Sequence, residues 1–234
     1  MQKKPVIFFL SKSGAGKDTQ AELLIEKYAY DYINTGELFR DFISSRSVAQ
    51  FSRNSIDRYE ALGIRRIVNN GEFAPSISVI HLWREPLLGF ISNHTKSNGI
   101  VLVGMARKLG EAMILLDFFR EWPDANKYFR LVPVHLKVSD REVRRRLLSR
   151  RQCLVCKKII FPNGAIPKRC MYCGGKLMRR KDDTLRGIAS RLDEYREFVA
   201  PVLQFFQKHK ILIEVNGEQS IEAVHKAVVR ELGL

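Results

Sequence analysis

The 234-residue sequence predicts an α/β fold in which a parallel central sheet carries helices on both faces. Short apolar runs that suit buried strands recur along the chain, and stretches with helical periodicity separate them. Two further stretches, at about 35–80 and 152–177, break this alternation and are predicted to be insertions into the sheet core. The length suits one core domain with such insertions.

The individual elements follow from the spacing of the apolar residues. The predicted strands are 6–10, 100–103, 131–138 and 211–215. The predicted helices are 17–28, 108–121, 141–151, 184–208 and 221–232. Residues 35–80 look mainly helical without a clear strand, whereas 152–177 are rich in Cys, Gly and Pro.

The composition favours an anionic partner. Forty Lys and Arg against 25 Asp and Glu give a formal net charge of +15, which suits nucleic acid or nucleotide phosphates. No apolar run reaches the roughly 18 residues that a membrane-spanning helix needs. The apolar run at 6–10 is too short for a signal peptide, so a cytoplasmic protein without a membrane partner is expected.

The segment from Ser11 to Thr19 approximates a phosphate-binding P-loop between a strand and a helix. Small residues let successive backbone N–H groups converge on phosphate oxygens, and the lysine of the motif reaches the terminal phosphates. The residues predicted to bind nucleotide in this segment are Gly14, Ala15, Gly16, Lys17, Asp18 and Thr19. Ser11 and Asp18 are unusual here, since the motif begins with Gly and a carboxylate repels a triphosphate unless a metal ion intervenes.

The four cysteines of the chain form two Cys-x-x-Cys pairs. They are Cys153 with Cys156 and Cys170 with Cys173. Two such pairs provide the tetrahedral thiolate geometry that zinc prefers, and four protein ligands leave no open position for water. The sequence therefore predicts a structural zinc site in a reducing compartment, with an iron–sulfur cluster as the alternative.

Several short segments occur along the chain in an order that matches one known family. They are Thr35 to Arg40, Gly71 to Pro75, Gly99 to Arg107, the pair Arg146 and Arg150, Arg180 to Asp183 with Arg191, and Val215 to Gln219. With the P-loop and the cysteines, nearly the whole chain resembles adenylate kinase in its long form with a zinc-bearing lid. The resemblance implies a three-layer P-loop NTPase fold. Its parts would be core segments 1–33, 79–149 and 183–234, a helical insertion at 34–78 that binds the monophosphate, and a zinc lid at 150–182.

The same resemblance implies a role for each matching residue. ATP would be bound by the P-loop residues together with Arg146 and Arg150. The acceptor AMP would be bound by Thr35, Gly36, Arg40, Glu72, Phe73, Ala74, Gly104, Arg107, Glu111, Arg180 and Arg191. Catalysis would involve Lys17, Arg107, Arg150, Arg180, Arg191, Asp182 and Asp183. The arginines suit this chemistry because phosphoryl transfer requires two polyanions to be held in line while their charge is neutralised.

The implied reaction is reversible transfer of the γ-phosphoryl group of Mg²⁺-bound ATP to AMP, giving two ADP. A monomer is expected, and nucleic acid is not expected as a partner. Two positions depart from the family. Val103 stands where the family has an Asp that orders water around magnesium, and we hypothesise that Asp18 replaces that carboxylate. Glu111 stands where a Gln reads the acceptor adenine. An ionised Glu only accepts hydrogen bonds, which suits the N1 and N2 donors of guanine, and it can also meet the single N6 donor of adenine, less completely. The other interpretation is that the side chain simply faces solvent.

Three alternatives therefore remain at the level of sequence. The first is a nucleoside monophosphate kinase for GMP or a pyrimidine nucleotide. The second is a catalytically impaired nucleotide-binding pseudoenzyme, because of Val103. The third is a zinc-ribbon protein that binds nucleic acid, which Lys168, Arg169 and Tyr172 in the cysteine segment would favour.

Overall fold

A computed structural model describes residues 3–44, 56–69, 73–93, 97–162, 165–180 and 183–234. The strands are β1 (Lys4–Leu10), β2 (Asp31–Asn34), β3 (Ile100–Val103), β4 (Phe129–Lys137), β5 (Arg151–Cys153), β6 (Ile159–Ile160), β7 (Leu177–Met178) and β8 (Ile213–Asn216). The helices in the first half are α1 (Lys17–Tyr28), α2 (Thr35–Phe42), α3 (Ile56–Asn69), α4 (Ser76–Ser92), α5 (Leu109–Glu121) and α6 (Pro123–Tyr128). The second half has α7 (Asp140–Ser149), α8 (Leu185–Glu194), α9 (Ala200–Lys208) and α10 (Ile221–Leu232).

The central sheet is parallel and has the strand order β2-β3-β1-β4-β8. The buried strand β1 lies in the middle, with Ile7 opposite Val101 of β3 and Val132 of β4. Strands β2 and β3 lie on one side of β1, and β4 and β8 lie on the other, so the strand order switches sides at β1. The crevice beyond the carboxyl ends of the strands at such a switch point is the usual ligand site of a parallel α/β sheet. The P-loop segment follows β1 at that crevice.

Helices cover both faces of the sheet, because alternate residues of β1 point in opposite directions. Val6, Phe8 and Leu10 join the core cluster that contains residues of α4, α5 and α9. Ile7 and Phe9 join the second cluster, which contains residues of α1, α7 and α10. This arrangement confirms the predicted α/β fold of three layers with a parallel central sheet.

Three differences from the predicted elements have physical reasons. Strand β2 was not predicted, because it lies at the sheet edge and only Ile33 among its four residues is buried. The predicted helix over 184–208 contains a π-helical segment at Tyr195–Val199, followed by Pro201, which has no N–H to donate within a helix. The predicted helix over 141–151 ends at Ser149, since residues 151–153 pair as β5.

The cysteine segment forms a small antiparallel sheet with the strand order β6-β5-β7. Its buried apolar cluster consists of Cys153, Ile160 and Cys170, with Cys156 and Leu177 packed against it. Such a core is too small to stabilise a folded unit by burial alone. Among the helices of the described ranges, none combines the length and apolarity required to cross a bilayer.

Candidate active site

The loop between β1 and α1 has a backbone that only glycine adopts readily at two positions. Gly14 has φ +80° and Gly16 has φ +98°. A Cβ atom at Gly14 would lie 2.8 Å from Leu147 Cδ2, so a side chain there would also collide with α7. The Lys17 ammonium donates hydrogen bonds to the carbonyl oxygens of Ser11 at 3.2 Å and Lys12 at 3.0 Å. The lysine side chain therefore folds over the loop, where a P-loop binds phosphate.

The environment of Lys17 lowers the pKa of its amine, so that its charge responds to pH and to a bound anion. Burial, together with the smaller effects of the Arg107 and Arg150 charges, lowers the pKa of the Lys17 amine to about 8. The carboxylate of Asp18 opposes this shift. An anion bound against Lys17 would favour the charged amine and raise its pKa again.

Two other residues of the loop hold it against β4. The buried Ser11 hydroxyl donates to the Leu10 carbonyl and accepts the Leu136 N–H at 2.8 Å. The Lys12 ammonium donates to the Val138 carbonyl at 2.8 Å and pairs with Asp140 at 2.6 Å. Ser11 in place of glycine thus satisfies a buried backbone donor, and the Lys12 charge is neutralised at the start of α7 instead of inside the loop.

A cleft of about 300 Å³ opens on one side of the P-loop, and we name it the outer cleft. Its walls include Gly14, Ala15, Gly16, Thr19, Arg146, Gly217 and Ile221. Arg146 is fixed in this wall, since Nη2 donates to the Gly217 carbonyl at 2.8 Å and Nε pairs with Glu142 at 2.7 Å. The structure thus brings Arg146 together with four of the six loop residues predicted to bind ATP.

A second cleft, of about 230 Å³, lies beyond the ends of β2 and β3, and we name it the inner cleft. The predicted acceptor residues that line it are Thr35, Gly36, Arg40, Phe73, Ala74, Gly104, Arg107 and Glu111. Asn34 caps α2 by accepting the N–H groups of Gly36 and Glu37, which fixes the turn that carries these residues. The Lys108 ammonium donates to the Ala74 carbonyl at 3.0 Å and holds the opposite wall.

Glu111 is 2% exposed, so the alternative in which it faces solvent is wrong. Its Oε2 accepts the N–H groups of Arg107 at 2.9 Å and Lys108 at 3.3 Å, and its Oε1 accepts the Ser76 hydroxyl at 3.0 Å. Glu111 therefore caps the N-terminus of α5 and lines the inner cleft at the same time. The contact with Ser76, a residue 35 positions earlier, could not be read from the sequence.

A narrow third cleft, which we name the central cleft, lies between the P-loop and the inner cleft. It has a volume of about 60 Å³ and is lined in part by Ser11, Ser13, Lys17, Arg107 and Arg191. Phe73 and Arg107 line both the central and the inner cleft, and the guanidinium of Arg107 lies 5.4 Å from the Phe73 ring centroid. Three predicted catalytic cations, Lys17, Arg107 and Arg191, thus surround one small space.

A buried carboxylate organises two of the predicted arginines. Both Asp183 oxygens accept from Arg150, Oδ2 from Nε at 2.8 Å and Oδ1 from Nη2 at 2.5 Å. Oδ1 also accepts Arg191 Nη1 at 2.9 Å, while the Asp183 carbonyl accepts Arg179. The Asp183 side chain is 0% exposed and that of Arg150 is 7% exposed. The base of the lid is therefore joined to α8 through one shared acidic group.

The remaining predicted residues are placed elsewhere. Arg180 lines a groove on the lid with Gln152, Leu154, Lys157 and Met178, and it is absent from the linings of the three clefts described above. Asp182 and Glu72 lie outside the described residues, as does Gly71 of the motif around Phe73. Their predicted roles remain predictions.

The central cleft also contains Glu194 and Tyr195, which the sequence analysis did not identify. Burial raises the pKa of the Glu194 carboxyl, and the charges of Arg191 and Arg107 oppose that shift. Tyr195 begins the π-helical segment, and its hydroxyl lies 3.1 Å from His135 Nε2. The spacing of Arg191 and Glu194 by three residues in a helix is the signal that could have placed both on one face.

Asp18 and Val103 occupy the positions where the sequence departs from the family. Val103 ends β3 opposite Asn34 of β2 and packs its side chain against the core cluster. Asp18 is exposed in the first turn of α1, and its charge acts on both Lys17 and Arg107. A carboxylate close enough to act on Lys17 and Arg107 is thus available, although Val103 supplies none.

The four cysteines come together at the ends of the lid sheet. Their Sγ atoms all lie within 4.8 Å of one another, with 3.5 Å between Cys153 and Cys173 and 3.7 Å between Cys156 and Cys170. Thiolates in a tetrahedral zinc site with bonds of about 2.3 Å would lie about 3.8 Å apart. Gly175 permits this approach, because a Cβ atom there would lie 2.9 Å from Cys153 Sγ. The donor set and its spacing fit a metal ion.

The comparisons with known proteins agree with this architecture. The family model described as Adenylate kinase matches residues 9–211. Adenylate kinase of Clostridium botulinum (strain 657 / Type Ba4) is 30% identical over 232 residues, which cover 97% of this chain and 98% of the relative. Adenylate kinase of Chlamydia abortus is 31% identical, with 97% of this chain and 100% of the relative covered, and that of Thermosipho africanus is 30% identical, with 94% and 96% covered. With such coverage by both kinds of match, the chain belongs to the adenylate kinase family.

Proposed function

We propose that the protein is a nucleoside monophosphate kinase that transfers the γ-phosphoryl group of ATP reversibly to AMP. The observation that carries this proposal is a pair of nucleotide-sized clefts, the outer one beside the P-loop and the inner one beyond β2 and β3, with a central cleft lined by Lys17, Arg107 and Arg191 that shares Phe73 and Arg107 with the inner cleft. A kinase requires two nucleotides to approach one another with their phosphates aligned. The family and the names of the relatives supply the adenine nucleotides as first candidates.

In this proposal, the outer cleft binds ATP. The loop N–H groups and Lys17 would bind its phosphates, and Arg146 would form one wall for the rest of the nucleotide. The inner cleft binds AMP, with Arg40 and Arg107 at its phosphate. Arg150 and Arg191 would stabilise the group in transfer once the lid closes and water is excluded.

Magnesium would enter with ATP and neutralise charge on its phosphates. We propose that Asp18 stands near the magnesium ion, because its carboxylate lies beside Lys17 and forms no salt bridge within the described residues. At the lid, we propose zinc as the metal held by Cys153, Cys156, Cys170 and Cys173. Its chemistry there is structural, since four thiolates complete a tetrahedral site.

A different acceptor base is the second candidate, and Glu111 favours it. Its buried carboxylate already receives three donors from the protein, and a carboxylate can only accept more. The N1 acceptor of adenine would be repelled by this group, whereas guanine presents the donors N1–H and N2–H on the same edge. GMP is therefore the acceptor to compare with AMP.

The test is a coupled assay with ATP and, in separate reactions, AMP, GMP, CMP, UMP or dTMP. We expect turnover, with AMP as the first candidate and GMP as the second. Turnover with none of them would contradict an active kinase. If ATP still bound in that case, the alternative of a nucleotide-binding pseudoenzyme would be supported.

A further inference from the structure

The lid carries a charge imbalance. Between Glu142 and Asp182 the sequence has thirteen Lys or Arg and no Asp or Glu. Among the described residues, six of these cations are exposed on the lid, and we name them the lid cations: Lys157, Lys158, Lys168, Arg169, Lys176 and Arg179. A zinc ion with four thiolates carries about two negative charges, so the surface of the lid stays strongly positive with the metal bound.

Carboxylates form ion pairs with cations in the rest of the molecule. For example, Arg145 pairs with Glu142 at 2.7 Å, and Arg196 pairs with Asp193 at 2.6 Å. Lys158 on the lid, in contrast, acts on the charge of Glu22 in α1 without forming an ion pair with it. Within the described part of the chain, the lid cations form no ion pair. Lys157 and Arg169 donate to the backbone carbonyls of Leu154 and Gly174, which leaves their charge uncompensated.

The position of the lid cations separates them from the proposed kinase site. None of them lines the outer, inner or central cleft. Lys157 and Arg179 instead line the lid groove of about 280 Å³, together with Arg180 and with uncharged residues such as Gln152, Leu154 and Met178. In this conformation, the bound nucleotides would not contact the lid cations.

Exposed apolar and aromatic side chains are interleaved with the lid cations at the two cysteine pairs. Val155 is 69% exposed, Met171 75% and Tyr172 61%. The Lys158 ammonium lies 4.4 Å from the Tyr172 ring centroid, so a cation and an aromatic face are presented together. Cationic surfaces with aromatic rings on which bases can stack are the features that bind single-stranded nucleic acid.

We propose that the outer surface of the lid binds single-stranded RNA. The lid cations would contact the phosphodiester backbone, and Tyr172 would stack on a base. An anionic membrane fits this surface less well, because the apolar side chains lie at two short turns and do not form the continuous face of an amphipathic helix. The proposal goes beyond the kinase function and does not depend on it.

The test uses the full chain with its bound metal and a fluorescein-labelled oligouridylate of about 20 nucleotides, with binding measured by anisotropy across a salt series. The lid variant is the triple substitution Lys157→Gln, Lys158→Gln and Arg169→Gln. The matched control removes three exposed charges from helices outside the lid, by Lys27→Gln in α1, Lys208→Gln in α9 and Lys226→Gln in α10. We expect the lid variant to bind at least tenfold more weakly, with the log–log salt slope reduced by about 2. The control should stay within about twofold.

Tyr172→Ala separates stacking from charge. It should weaken binding about fivefold or more without changing the salt slope. Equal losses in the lid variant and the control would overturn the proposal, since net charge alone would then explain binding. It would also be overturned if vesicles with about 30% phosphatidylserine bound more tightly than RNA with the same lid dependence. If the lid variant bound RNA as tightly as the unchanged protein but had a lower kcat/KM for ATP, the proposal would also be overturned, because the lid cations would then steer nucleotides towards the kinase site.

Discussion

Arg150 and Asp183 form a bidentate ion pair in which both side chains are almost completely buried, and the same carboxylate also accepts Arg191. A buried carboxylate between two guanidinium groups compensates charges that neither arginine could lose by deprotonation. The pair joins the end of α7 to the segment before α8, so it also fixes the geometry of the arginines that we propose to act on phosphate.

Replacing Asp183 by Asn should leave two poorly compensated cations. We expect the free energy of unfolding to fall by about 3 kcal/mol, measured by urea denaturation. The control is Asp193→Asn, which removes one of the two carboxylate partners of the exposed Arg196 and leaves Asp140, so it should cost less than about 1 kcal/mol. Equal costs for the two variants would show that the buried pair adds nothing to stability.

Asp18 should be required for magnesium-dependent turnover if it replaces the carboxylate that Val103 lacks. We expect Asp18→Gly to lower kcat about tenfold or more and to raise the magnesium concentration for half-maximal rate. Adding Val103→Asp to that variant should restore much of the loss, because it returns a carboxylate to the end of β3. Unchanged turnover and magnesium dependence in Asp18→Gly would rule out the relocation.

Lys17 should make ATP binding depend on pH. With a pKa of about 8 in the free protein, the amine is charged at about pH 6.5 and mostly neutral at about pH 9.5. A bound polyanion favours the charged form, so binding takes up a proton above pH 8 and the affinity falls up to about tenfold per pH unit there. Calorimetry in buffers with different ionisation enthalpies measures this uptake. Lys17→Arg, which stays charged, should bind without that proton uptake.

Glu111→Gln should shift the choice of acceptor base towards adenine. A glutamine in the same position can keep its oxygen towards the N–H groups of Arg107 and Lys108, so α5 remains capped. The amide nitrogen then takes the position of Oε1, next to Ser76, and offers an N–H donor there. We expect the ratio of kcat/KM for AMP to that for GMP to rise about tenfold. An unchanged ratio in a variant of normal stability would show that Glu111 does not read the base.

Metal removal should unfold the lid before the core. We expect about one zinc per chain by elemental analysis, and its loss in Cys170→Ser, because the lid has too small a core of its own. Hydrogen exchange should then accelerate over 151–178 while β1 and β4 stay protected. Tyr172→Ala, an exposed neighbour of two ligands, should keep its metal. Iron and sulfide in the isolated protein would support the cluster alternative instead.

The α/β class and the buried strands of the core could be predicted because their determinants are local. The apolar run at Val6 to Leu10 is long enough to identify a buried strand, and the glycines after it identify the loop. Strand β2 could not be predicted in the same way. It has one buried residue, and it becomes a strand because β3 supplies hydrogen-bonding partners from a distant part of the chain.

By itself, the sequence determined the α/β class, the P-loop between β1 and α1 and the two Cys-x-x-Cys pairs, because each depends on neighbours within a few residues. Only the tertiary structure decided the partners across the chain: Glu111 with Ser76, Ser11 with Leu136, and Arg150 with Asp183. Sequence spacing carries no information on these contacts. The folding of the sheet and helices brings such side chains together, and burial then requires each polar group to find a partner.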